Sequence, residues 1–123
     1  MSELGRKSVE EFRQSQKFPL VVVLDNVRSM HNVGSVFRTA DAFLISGILL
    51  CGYTPRPPHR DIQKTALGAT ETVDWDFFES TLDAVDQLKS QGYRIFAVEQ
   101  VEKSIPLQEF SSLNSEKMAV IFG

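Results

Sequence analysis

Residues 20–44 read LVVVLDNVRSMHNVGSVFRTADAFL, and two periodicities meet inside them. Leu20–Leu24 is an unbroken apolar run holding three valines. A strand with one wet face alternates polar and apolar residues, whereas an unbroken β-branched run suits a strand covered on both faces, as in a parallel sheet. After Asp25 and a polar stretch, Val33, Val36, Phe37, Ala40, Phe43 and Leu44 recur at helical spacing. That pattern predicts an amphipathic helix of about three turns with its apolar stripe on the sheet. Asn32 stands at its start, placed as an N-cap whose side-chain oxygen accepts from free helix amides.

Outward from this block the same alternation continues. Upstream, Ser8 followed by Glu11 is a capping-box signature that opens a short helix through Lys17, which Pro19 separates from the strand. Downstream, Gly47 punctuates and Ile48–Cys51 reads as a second buried strand. GYTPRPPHR, residues 52–60, holds three prolines and is predicted to be a surface loop. A short helix near Asp61–Leu67 and a strand near Val73–Phe77 follow. Ser80–Gln91 reads as a helix with Leu82, Val85 and Leu88 on its buried face, Ser80 as its cap and Gly92 as its end. Arg94–Val98 and Met118–Phe122 are the last strands. The expected fold is α/β, a mainly parallel sheet flanked by helices. Residues 1–17 form a short N-terminal helical extension and 18–123 one domain.

Composition narrows the function classes. A chain of 123 residues allows one domain, and 42% apolar residues with nine Phe supply a real core without disulfide or metal. No apolar stretch approaches the roughly 18 residues of a membrane span, and the first residues lack the apolar segment of a secretion signal. The lone Cys51 fits a reducing compartment and argues against thiol-ligated zinc. A cytoplasmic domain without a metal site is the expectation. The net charge of −3 is unevenly spread. Residues 1–70 carry nine Lys or Arg against six Asp or Glu, and residues 71–123 carry four against ten. A basic half on an acidic protein is compatible with one polyanion-binding face, and equally with a solvated surface.

No GxGxxG follows the first strand, and there is no Walker loop and no GxSxG elbow. His31 and His59 sit in separate loops and read as surface residues, and Cys51 as core packing. What remains is Asn32-x-Gly34-x-x-x-Arg38 at a helix start, where free amides favour an anion. Gly34 and Arg38, four apart, share a helix face away from the apolar stripe. Gly34 weakens a helix by about 1 kcal/mol relative to Ala, which implies that another segment approaches closely. Arg38 has two readings: an ion pair with Asp41, or a planar fork of donors for a phosphate or developing oxyanion.

LDNVRSMHNVGSVFRTADAF, residues 24–43, resembles motif 1 of the SpoU family of RNA ribose 2′-O-methyltransferases, within the SPOUT superfamily. KTALGATETVDW, residues 64–75, resembles that family's Lys-x-x-x-Gly-Ala stretch, and MAVIFG, residues 118–123, the opening of its motif 2. The resemblance implies transfer of a methyl group from S-adenosyl-L-methionine to a ribose 2′-OH of tRNA or rRNA. It makes Arg38 the catalytic arginine, has Asn32 orient the site, and gives Gly34 a close packing role. It lays Val98, Glu99, Gln100 and Gly123 along the cofactor. Arg28, Arg56, Arg60 and Lys64 become a phosphate-tracking surface for the RNA. A homodimer comes with the family.

The chain departs from the family where it ends. The rest of motif 2 and motif 3, which thread the family's trefoil knot, do not occur in these 123 residues. The expectation is therefore the leading part of an enzyme, a chain that neither holds the cofactor well nor dimerises normally alone. The alternative is a non-catalytic RNA-binding or interaction module.

Overall fold

A computed structural model of the chain describes residues 17–98 and 117–123. Five parallel strands form one sheet: β1 (Phe18–Asp25), β2 (Ile45–Cys51), β3 (Trp75–Phe78), β4 (Arg94–Val98) and β5 (Met118–Phe122), in the order β3-β2-β1-β5-β4. The helices are α1 (Met30–Ala42), α2 (Arg60–Ala66), the single turn α3 (Ala69–Thr72) and α4 (Thr81–Ser90).

The valine run is central because both its faces are covered. Val22 and Leu24 pack with Val33, Phe37 and Ala40 of α1 and Ile62 and Ala66 of α2. Val21 and Val23 point the other way, to Ala84 and Leu88 of α4 and Ala119 of β5. On one side β1 is in register with β2 from Val21↔Gly47 to Asp25↔Cys51; on the other it pairs with β5 from Leu20↔Met118 to Leu24↔Phe122. The carboxyl ends of β1, β2 and β5 thus lie side by side, the edge at which open parallel sheets build ligand crevices.

Four local expectations are corrected. The cap of α1 is Ser29, whose side chain accepts from the Asn32 amide at 3.1 Å, so Asn32 lies in the first turn. The helix ends at Ala42, and Leu44 turns the chain in the left-handed region (φ 58°), leaving Phe43 68% exposed. The turn therefore falls at Leu44, and Gly47 lies inside β2. Leu82 is 75% exposed, because α4 buries Ala84 and Leu88 instead. Beyond these, β3 begins at Trp75, with α3 and the buried Val73 ahead of it. The Ser80 cap stands as expected, its side chain accepting from Asp83 N at 3.4 Å, and Gly92 takes positive φ just past the helix. The Ser8–Glu11 helix falls outside the described residues.

Thr54 is the buried polar residue that ties the strand ends together. Its hydroxyl lies 2.8 Å from Cys51 O and 3.1 Å from Leu24 O, its two possible acceptors, and accepts from Val27 N at 2.9 Å. Thr54→Val keeps the shape and takes the acceptor from the Val27 amide, while Cys51 O keeps the Asn26 and Thr54 amides at 3.1 and 3.3 Å. A loss of about 2 kcal/mol is expected, read as a lower urea midpoint at unchanged slope. An unchanged midpoint would show that the hydroxyl has no such role.

Candidate functional site

The polar residues of the sheet gather at the carboxyl ends of its strands. Asp25 ends β1, and its Oδ1 accepts from the Thr81 hydroxyl at the start of α4, at 2.6 Å, and from Asn26 Nδ2 at 3.2 Å. Asn26 stands at φ 55°, and its Oδ1 accepts from the Tyr53 amide at 2.8 Å. That carboxamide fills the space a Cβ on Gly52 would need, and Gly52 also has positive φ (65°). Glycine at position 52 is therefore required twice over. The result is a braced loop that projects Tyr53 outward, 75% exposed.

Tyr53 borders a cleft of about 480 Å³ lined by Asn26, Gly52, Tyr53, Phe77, Glu79 and Thr81. A cation lies over each of its two aromatic rings. The Arg28 guanidinium is 5.5 Å from the Tyr53 ring centre, and that of Arg56 is 4.1 Å from the Phe77 ring centre. Both distances are within cation–π range. Below the rim, burial pushes the Cys51 thiol up; Thr81 pulls it down and the Asp25 charge raises it again. A buried thiol shifted in that direction is the opposite of an activated nucleophile, in line with core packing.

The other sequence-derived candidates fall in separate places. Arg38 is exposed, two turns into α1, and makes no hydrogen bond or ion pair among the described residues. Its suggested partner Asp41 instead accepts from Thr72 Oγ1 at 2.9 Å. Gly34 does not share that exposure. It is buried against α2, where an added Cβ would collide with Thr65 Oγ1 and the Ile62 carbonyl. The close approach implied by the glycine is thus the α1–α2 contact. Arg60 and Lys64 sit one turn apart on α2, with Lys64 Nζ 3.8 Å from Asp61 Oδ1 in an exposed pair. His59 caps α2, its Nδ1 accepting from Asp61 N at 3.1 Å, and the His31 carbonyl accepts from Thr65. No group of metal-ligating side chains forms among the described residues.

Val98 and Gly123 come together. Val98 pairs with Phe122, so the two residues end adjacent strands. A Cβ on Gly123 would lie 3.1 Å from Asp25 O and 3.4 Å from Asp25 Oδ2. The backbone at this end of β5 is therefore pressed to β1, and a larger residue would crowd it. Glu99 and Gln100 lie outside the described residues.

An all-parallel sheet with Asp25, Asn26, Gly52 and Gly123 at the carboxyl ends of its strands is the α/β arrangement in which open sheets place ligand crevices. The sequence comparisons say which kind. The SpoU rRNA Methylase family model matches residues 19–123, and the chain belongs to that family. It is 31% identical over 94 residues to a Staphylococcus haemolyticus protein assigned to the TrmH family of tRNA/rRNA methyltransferases, covering 73% of this chain and 38% of that one. It is 31% identical over 71 residues to the 23S rRNA (guanosine-2′-O-)-methyltransferase RlmB of Vibrio parahaemolyticus, covering 58% of this chain and 29% of that one. It thus spans well under half the length of either relative. The AdoMet-bound rRNA methyltransferase of Sinorhizobium meliloti superposes with a TM-score of 0.72 at 25% identity, over 91% of this chain and 42% of that one. The TrmH/SpoU tRNA modifying enzyme of A. aeolicus, at 18% identity, shares the fold with a TM-score of 0.71. No helix among the described residues is long and apolar enough to cross a membrane.

Proposed function

We propose that this chain is the leading part, with the catalytic arginine, of an RNA methyltransferase that acts on a ribose 2′-OH of tRNA or rRNA in the cytoplasm, as a homodimer when whole. The observation that carries the reading is Arg38: an exposed guanidinium without a partner among the described residues, on the helix that the family match covers. A buried or paired arginine would be spent on the fold.

Val98, Glu99, Gln100 and Gly123 would hold S-adenosyl-L-methionine, which supplies a methyl group on a positively charged sulfur. The chain's own work is to bind and orient the ribose. A ribose hydroxyl is a poor nucleophile, so most of the gain comes from in-line placement and from help in losing its proton. A guanidinium offers five donors and no acceptor, so the part given to Arg38 is to hold rather than to take a proton. Its fork of donors holds the phosphate next to the target hydroxyl and offsets the negative charge growing on the oxygen. The hydroxyl proton leaves to water. Asn32, exposed in the first turn of the same helix, orients the backbone of that nucleotide. Arg28, Arg60 and Lys64 add sequence-independent affinity for flanking phosphates.

The test uses the full-length protein that contains this chain, with unmodified tRNA and rRNA and methyl-labelled cofactor, followed by alkaline digestion. A methylated 2′-oxygen cannot attack the neighbouring phosphodiester, so the label is expected in alkali-resistant dinucleotides. Label in mononucleotides would mean base methylation and overturn the ribose assignment. No label in either RNA would remove the activity.

A further inference from the structure

The cleft between Tyr53 and Phe77 has no part in the chemistry above, and its lining suits a base better than a phosphate or a peptide. We propose that it takes one unpaired nucleobase of the RNA, with guanine preferred. The proposal rests on the reading of the chain as an RNA-acting protein.

Four observations carry it. About 480 Å³ falls within the roughly 300–1,000 Å³ of small-molecule pockets. Both walls are aromatic, Tyr53 and Phe77, giving flat π-faces on which a base stacks regardless of sequence, and a guanidinium lies over each ring. Glu79, at the cleft lining, is exposed and makes no hydrogen bond or ion pair among the described residues. A free carboxylate repels phosphate but accepts from base donors, and the N1–H and N2–H of guanine present two side by side. Finally, the Asn26 carboxamide fixes the Tyr53 amide and Gly52 admits that carboxamide, so the exposed ring sits on a braced turn. An exposed aromatic held this firmly is preorganised for stacking.

The experiment measures anisotropy of two labelled single-stranded 12-mers, all uridine and the same with one central guanosine, on the full chain and its variants. The wild type is expected to prefer the guanosine oligomer. Tyr53→Ala should weaken it about ten-fold, as loss of one stacked base does, and Tyr53→Phe should keep it. Glu79→Gln should bring the two oligomers to similar affinity. Tyr53→Ala should leave the salt dependence unchanged, whereas Lys64→Ala flattens it, since only the latter removes a phosphate contact. If Tyr53→Ala binds like the wild type while Lys64→Ala weakens binding, the cleft proposal fails and the RNA reading stands. If the wild type binds both oligomers equally, the guanine preference fails. If the wild type binds neither oligomer nor tRNA, both readings fail.

Discussion

Arg38→Ala is expected to lower methyl transfer to RNA by at least about a hundred-fold while leaving the fold intact. The size follows from removing one charged donor aimed at developing negative charge, which typically costs about 10²–10³ in rate. The intact fold follows from exposure and the absence of any partner among the described residues. Surface substitutions of that kind stay within about 0.5 kcal/mol. RNA affinity should fall only a few-fold, with a slightly flatter salt dependence, because one phosphate contact is lost among several. Arg38→Lys keeps the charge but not the planar fork, and should recover affinity more than rate. Labelled-methyl transfer at saturating RNA, with thermal melting and anisotropy on the same samples, separates these effects. Full activity in Arg38→Ala would remove the arginine from the reaction. RNA binding without methyl transfer in the full-length wild type would favour a pure binding module.

The contrast between Arg38 and Tyr53 shows which parts of this molecule a sequence discloses. The core was legible because burial writes itself as periodicity: the valine run sits in β1 with both faces covered, and Val33, Phe37 and Ala40 of the helical stripe are buried. Phe43 and Leu82 misled for one reason. Each continues an apolar pattern at or beyond the end of the buried face, where the helix stops at Ala42 or turns Ala84 and Leu88 inward. Arg38 could be singled out because its neighbours match a known motif. The Tyr53 cleft could not, since it is assembled from three strand ends and depends on a contact between Asn26 and Tyr53, 27 residues apart. One local signal existed. Gly52 directly after a buried strand, followed by Tyr and Thr, marks a tight turn that aims an aromatic outward. The Ser29 cap was equally open to view as a residue type, but choosing it over Asn32 requires knowing where the helix begins.

Gly34→Ala separates intrinsic helix preference from packing, and packing should win. In an isolated helix the change would stabilise by about 1 kcal/mol. Here the new methyl would overlap Thr65 Oγ1 and the Ile62 carbonyl and lie 3.1 Å from Ala66 N. Thr65 can rotate, at the expense of its hydrogen bond to the His31 carbonyl. The Ile62 carbonyl is backbone inside α2 and can retreat only if the whole helix moves. Overpacking of this kind costs about 1–3 kcal/mol and here sits at the upper end, because the obstacle is main chain. A net loss of about 2 kcal/mol should lower the melting temperature by roughly 8 °C. Adding Thr65→Ala should restore less than half of that loss, since the carbonyl remains in place. Because α2 carries Arg60 and Lys64, its displacement should also weaken RNA binding in the folded variant, with both cations still present. A Gly34→Ala protein as stable as the wild type would mean that α2 yields without cost. The glycine would then have no packing role, and the α1–α2 contact would not be what sets the position of those cations.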